Sequence, residues 1–254
     1  MQVEDELTAL FGAVSQGGAT PLIQRGVLHV VHAARGPGGV LHALRVGAPS
    51  SPHSQSDFFV LNLCRARADA VLTSAENLRR EPTLGHQLQG PWADALLQYR
   101  TQRLQKSAPL VCAILTRTGQ LPDPHPFWND RTRKLLLCAP ERASELSVRF
   151  AGRAQVQGVA ALDARSACAW LRSSGHALVS VEAGPSSARK LYCPPSQVDE
   201  LLLTHWESAP PDAELAGPLV DDATLCKGLT LRSSTTRREG GQTFRFERWS
   251  RQQR

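Results

Sequence analysis

The chain has 254 residues, 41% of them hydrophobic, enough for one sizeable α/β domain with a buried core. Its formal charge is +6, but the arginines are dispersed and only 6% of residues are aromatic, which argues against a stacking platform for nucleic acid. No apolar run reaches the about 18 residues of a membrane-crossing helix, and the start Met1-Gln2-Val3-Glu4-Asp5-Glu6 is unlike a signal or transit peptide, so a cytoplasmic protein is expected.

In chain order, residues 4–14 predict a short helix with Leu7, Leu10, Phe11 and Val14 on its apolar face. A strand over 27–33 is broken by Gly36-Pro37-Gly38-Gly39, and a Pro/Ser-rich loop covers 47–52. Ser56 or Asp57 can cap a helix that runs to residue 67, and residues 70–73 read as a buried strand. The next helix spans 91–104, with Trp92, Ala95, Leu96 and Tyr99 on one face. Strands follow at 110–116 and 134–138, joined by the loop 119–130, and a weaker strand at 154–159.

Asp163 caps a helix over 164–173 that Gly175 ends. Strands at 177–181 and 198–206 precede a closing hairpin, 229–236 with 243–249, around Glu239-Gly240-Gly241. Strand–helix alternation of this kind predicts a mostly parallel central sheet flanked by helices, with a C-terminal antiparallel hairpin. The six cysteines are scattered without a C-x-x-C pair, and the histidines have no ligand spacing, so neither a metal site nor a disulfide framework is expected.

The densest motif is the strand 177–181 with Glu182-Ala183-Gly184-Pro185-Ser186-Ser187 behind it. An apolar run that ends in a carboxylate, turns at Gly-Pro and passes two serines offers backbone and hydroxyl donors to a phosphate. The same pattern also suits an ordinary strand–turn–helix connection.

Two separated blocks carry a resemblance. Glu182-Ala183-Gly184-Pro185 with Val198-Asp199-Glu200-Leu201 resembles the closing half of the reductase domain of the riboflavin-biosynthesis deaminase–reductase family. Leu63-Cys64-Arg65, Asp69-Ala70-Val71-Leu72-Thr73-Ser74 and Glu81-Pro82-Thr83-Leu84 resemble an earlier part of it, in the same order. The resemblance implies a dihydrofolate-reductase-like fold, NADPH as cofactor, a phosphorylated small-molecule substrate and a homodimer. It implies a helical extension at 1–24 and a single reductase-like domain at 25–254. The family's zinc deaminase signature, H-x-E with P-C-x-x-C, is absent, so no deaminase domain is expected.

By the same resemblance Arg65, Glu182 and Leu84 bind substrate. Ser74, Asn77, Thr116, Arg117, Gly184, Pro185, Ser186, Ser187, Ala188 and Arg189 bind cofactor, with Arg117 suited to a 2′-phosphate. The chain departs from the family at four places, one of them Asn77, where the family carries a threonine and the segment on to Pro82 is one residue short. Ala33-Ala34-Arg35-Gly36-Pro37-Gly38-Gly39 replaces a Ser-x-Asp-Gly turn, and Ala48-Pro49-Ser50-Ser51-Pro52 stands where the family's loop usually carries a serine and a tryptophan. Gly85-His86-Gln87 stands where an arginine is usual. Three readings stay open: the ribosylamino-pyrimidine reductase itself, a reductase of this fold with another substrate, or a non-catalytic dinucleotide-binding or interaction protein.

Overall fold

Eleven strands alternate with short helices in a computed structural model that describes residues 2–12, 21–44, 54–83, 85–208 and 215–252. The strands are β1 (Gly26–Arg35), β2 (Leu41–Leu44), β3 (Ala70–Ser74), β4 (Val111–Leu115), β5 (Arg133–Cys138) and β6 (Gln155–Gly158). They continue with β7 (Leu178–Val181), β8 (Glu200–Trp206), β9 (Leu215–Pro218), β10 (Thr230–Glu239) and β11 (Gln242–Ser250). The helices are α1 (Val3–Phe11), α2 (Gln55–Arg67), α3 (Ala75–Arg80), α4 (Ala93–Gln98) and α5 (Pro126–Asn129). After them come α6 (Ala143–Arg149), α7 (Ala164–Ser173), α8 (Pro185–Ala188) and α9 (Asp222–Leu225).

All eleven strands join one sheet in the order β10-β11-β8-β1-β7-β3-β4-β5-β6, with β2 on β1 and β9 on β2. From β8 to β6 every neighbouring pair is parallel, whereas β11 is antiparallel to β8 and to β10. Both faces are covered. Val27, Val31 and Ala33 of β1 join a core with Leu72, Leu115, Leu171 and Leu191, while Leu28 and Ala34 join another with Phe59, Leu63, Leu202 and Phe244. This period-two alternation between two buried faces gives a central parallel strand its near-continuous apolar sequence. Among the described residues, no helix is long and apolar enough to cross a membrane.

Several elements match their sequence signals. Asp163 accepts from Ser166 N at 2.8 Å and caps α7 at its expected bounds. In the hairpin, Gly240 and Gly241 have φ of 56° and 78°, the positive values that a two-residue type I′ turn requires of both central residues. Helix α2 starts earlier than expected, because Ser54, not Ser56 or Asp57, supplies the cap by accepting from Asp57 N at 2.9 Å.

The stretch expected as one helix over 91–104 divides into a 3-10 turn, α4, and a π turn over 99–103. Within that wider turn the buried Arg100 guanidinium donates to Ala66 O at 2.9 Å and Ala68 O at 2.6 Å, satisfying carbonyls at the end of α2. Helix α1 is no appendage. Val3, Leu7, Leu10 and Phe11 are buried against Phe59, Phe244 and Phe246, and Glu6 pairs with Arg237 of β10 at 2.5 Å.

Candidate active site: a cleft where the sheet opens

β1 is ten residues long, but its neighbour β7 has four. β7 pairs with β1 over residues 26–29, and β2 takes up the same side only at Ala33, Ala34 and Arg35. β8 occupies the other side over residues 28–34. Among the described residues, therefore, no strand lies beside Val30, Val31 and His32 on the β7 side, where the chain after Val181 turns away through Glu182-Ala183-Gly184. A cleft opens in that gap, with about 1080 Å³ of empty space including its mouth. His29 to His32 form its floor, and Glu182 to Pro185 with Asn77, Arg80, Glu81 and His86 contribute one wall. Phe58 and Leu61 of α2, Leu44 of β2, and Ala216 and Leu219 enclose the rest.

The acidic wall is anchored from beneath. Arg65 of α2 is fully buried, and its Nε and Nη2 donate to the two Glu182 carboxylate oxygens at 2.8 and 2.7 Å. Its Nη1 donates to Gln87 O at 3.1 Å. Burial alone would lower the Arg65 pKa, but the facing Glu182 carboxylate outweighs it and holds the guanidinium above its usual value. Arg65 thus props Glu182 and the 85–89 loop and does not itself line the cleft.

Asn77 fixes the next peptide: its Nδ2 donates to Glu182 O at 2.8 Å, and Thr73 Oγ1 donates to the same oxygen at 3.4 Å. Ser74 caps α3 by accepting from Asn77 N at 3.2 Å. Gly184 sits so close that a Cβ there would lie 3.1 Å from Asn77 Oδ1.

The histidines of the floor differ in their commitments. His29 Nδ1 lies 2.6 Å from the Tyr192 hydroxyl, and burial lowers its pKa to about 4. His32 Nδ1 lies 3.1 Å from Asp57 Oδ2. Burial would raise the Asp57 pKa, but the charge and hydrogen bond of His32 and a hydrogen bond from Thr204 hold it below the usual carboxylate range. His86, whose backbone N–H donates to Asp130 Oδ2 at 3.1 Å, is likewise buried, with its pKa lowered to about 4 chiefly by desolvation. Both low-pKa rings are neutral at physiological pH.

Of the residues singled out in the sequence, the structure brings Asn77, Glu182, Gly184 and Pro185 to the cleft. Ser74 and Thr116 end neighbouring strands of the same sheet edge, and Thr116 Oγ1 accepts from Gly119 N at 2.9 Å. Arg117 is exposed just beyond β4, which β3 separates from β7. Ser186 and Arg189 are exposed, Ser187 is partly buried and Ala188 buried; none of the four lines the cleft. Leu84 and the 48–52 loop lie outside the described residues.

The turn Gly36-Pro37-Gly38-Gly39 is not part of the lining, and the cleft beside Gly184 is open. His32, Asp57, His86 and Phe58 line the cleft without having been marked by any sequence motif. Asp57 had drawn attention only as a candidate helix cap, and His86 only within the departure at Gly85-His86-Gln87.

No protein-family model matches the chain, and no curated protein matches it in sequence. Solved structures do match. A pyrimidine reductase-like protein from Corynebacterium diphtheriae superposes with a TM-score of 0.65 at 17% identity, covering 98% of each chain. The riboflavin biosynthesis reductase of Saccharomyces cerevisiae gives 0.55 at 12% identity over 96% of this chain and 97% of that one. The diaminohydroxyphosphoribosylaminopyrimidine deaminase/5-amino-6-(5-phosphoribosylamino)uracil reductase of Thermotoga maritima gives 0.58 at 14% identity; there the match takes in 90% of this chain and 57% of the other. Extended sheet, crossover helices and antiparallel C-terminal strands together give the chain the dihydrofolate-reductase-like fold of the riboflavin-biosynthesis pyrimidine reductases.

Proposed function

We propose that this chain is an NADPH-dependent reductase acting in the cleft between β1 and β7, on a substrate related to the ribosylamino-pyrimidine of riboflavin synthesis. The observation that carries the reading is the position of the cleft: beyond the carboxyl ends of parallel strands, against Gly184, where open α/β sheets bind nucleotides. The residues present fit a dinucleotide. A Cβ at Gly184 would lie 3.1 Å from Asn77 Oδ1, and Arg117, which follows β4, is the guanidinium that the resemblance suits to a 2′-phosphate. The nicotinamide supplies the hydride when bound. The chain's own contribution is to position the reactants and exclude water: Arg65 and Asn77 hold Glu182 and its peptide in place, and Val30, Val31, Phe58 and Leu61 provide dry walls. A homodimer and a cytoplasmic setting belong to the same reading and rest on the resemblance.

Fluorescence titration of the purified protein with NADPH, and with NADH in parallel, tests this. Micromolar binding selective for NADPH is the expected result; no binding at millimolar cofactor overturns it. Gly184→Asp should abolish NADPH binding by setting a carboxylate against the pyrophosphate, and unchanged affinity sinks that assignment. Arg117→Ala should weaken NADPH more than NADH, and equal loss for both refutes the 2′-phosphate role.

A further inference from the structure

Hydride addition to the carbon of a C=O or C=N bond drives the π pair of that bond onto the oxygen or nitrogen, which must then take a proton. Most titratable groups around the cleft are committed elsewhere. Glu182 spends both carboxylate oxygens on the Arg65 guanidinium, at 2.8 and 2.7 Å. Arg80 pairs with Glu76 at 2.9 Å. Burial lowers the pKa values of His29 and His86 to about 4, so neither ring carries a spare proton at physiological pH.

His32 differs from them. Its side chain is only 10% exposed, it lines the cleft, and its Nε2 has no hydrogen-bond partner among the described residues. An orphaned buried polar atom at a concave site is uncommon and marks a group with work left to do on a ligand. The ring's other nitrogen is fixed, because Nδ1 lies 3.1 Å from Asp57 Oδ2. Asp57 is itself locked in place. Its backbone N–H donates to the Ser54 cap of α2 at 2.9 Å, and its carboxylate takes a further hydrogen bond from Thr204. Thr204 is the β8 residue directly beside His32 in the β1–β8 ladder. Strand β1, helix α2 and strand β8 thus set the pair jointly. A carboxylate at Nδ1 keeps a proton on that nitrogen and offsets the ring's charge when Nε2 takes a second one.

We propose that His32, oriented by Asp57, is the proton donor for the reduction carried out in this cleft. The inference rests on the reductase reading and adds an acid to it. As the hydride joins the carbon, the Nε2–H bond breaks and its proton joins the heteroatom that receives the π pair. The ring is left neutral, with its remaining proton on Nδ1 facing Asp57, and one solvent proton per turnover restores it. Hydride and proton together supply the two hydrogens that the reduction adds. Asp57 is a positioning residue in this scheme, since it acts through the ring.

Nitrogen-detected NMR of the histidine rings in the full chain tests the pair without turnover. The neutral His32 ring should carry its proton on Nδ1, and NADPH should shift its signals. A ring protonated on Nε2 overturns the proposal, as does a His32 signal unmoved by bound NADPH. Failure of NADPH to bind, with the Nδ1 proton in place, counts against the reductase reading and not against the Asp57-set ring. In NADPH oxidation with the ribosylamino-pyrimidine, His32→Gln should lower kcat by about 100-fold or more and leave the KM for NADPH near wild type. Wild-type kcat should fall as pH rises, because a deprotonated Nε2 has no proton to give, and His32→Gln should lack that alkaline limb. His29, Asp57, Arg80, Glu81, His86 and Glu182 all remain in the variant, so a limb that persists belongs to one of them and overturns the assignment. Asp57→Ala should release the Nδ1 proton preference and lower kcat; unchanged kcat removes Asp57 from the pair. The wild-type tautomer and its response to NADPH decide the matter even where a variant is unstable.

Discussion

At the scale of single residues, the Arg65–Glu182 pair shows how a charge can serve a site without facing it. Both side chains are almost entirely removed from water, and two parallel N–H···O bonds join them. Deleting one partner strands the other charge in a dry environment, which costs about 3–5 kcal/mol. Arg65→Ala should therefore lower stability in urea by that order, in addition to any effect on ligand binding; a change below about 1 kcal/mol contradicts the buried-pair account. Resemblance directed attention to each of these residues, yet nothing in the sequence announced that they bind each other across 117 positions.

The buried histidines carry a pH prediction at the same scale. His29 and His86 have folded pKa values of about 4 against an ordinary 6.5. Between those values the unfolded chain binds protons that the native chain refuses, so stability rises with pH from about 4 to 6.5 and these groups add no slope above it. The depressed carboxyls of Asp57 and Glu247 act in the same direction but lower, as pH falls below their ordinary values of 3.8 and 4.5. Urea midpoints measured from pH 4.5 to 8 should show the histidine slope, and His86→Gln should flatten part of it. A profile unchanged by that substitution would remove His86 from the account.

At the scale of elements, local chemistry decided what could be read in advance. α7 was legible to its bounds because its cap, apolar face and stop lie within a dozen residues of sequence. The C-terminal hairpin was legible because paired glycines with positive φ leave few other turns open. α2 was misjudged at its start because Ser54 competes with Ser56 and Asp57 as a cap, and Ser54 Oγ gains a further bond to Glu239 of β10 at 2.9 Å. Ser54→Ala should cost about 1 kcal/mol in thermal unfolding, the usual value of such a cap.

β2 and β9 were invisible for a different reason. Leu41-His42-Ala43-Leu44 and Leu215-Ala216-Gly217-Pro218 carry too little pattern, and they pair with each other across some 170 residues. These two strands nevertheless supply one wall of the cleft, since Leu44 and Ala216 both line it.

The whole molecule is tied together by a second buried charge cluster. Glu200 of β8 accepts from Arg67 of α2 at 2.5 Å and from Arg248 of β11 at 2.7 Å, with all three side chains fully buried. The two guanidiniums also reach the carbonyls of Ile23 and Pro21, which brings the segment before β1 into the same knot. Glu200→Gln takes the shared counter-charge from both arginines, and a loss of about 3–5 kcal/mol is expected in equilibrium unfolding. Removing residues 2–12 should also destabilise the fold, because each buried large side chain of α1 contributes about 1.5–3 kcal/mol. A truncated chain with unchanged thermal stability would show instead that α1 is dispensable.

The sequence by itself determined the fold class and the order of the principal strands, and it singled out the loop after β7, which lines the cleft. These depend on period-two and helical periodicities, caps and turn residues that act over a few positions, and on two motif blocks in a fixed order. Only the tertiary structure decided that a cleft opens in the gap between the end of β7 and the start of β2, and that His32, Asp57 and His86 meet there. Strand lengths and register depend on which neighbours compete for the same backbone edge, and that competition is settled when distant segments pack. The same packing turned Arg65 from an available cation into the support of Glu182, since a guanidinium sealed from water must spend its donors on the nearest carboxylate and carbonyl.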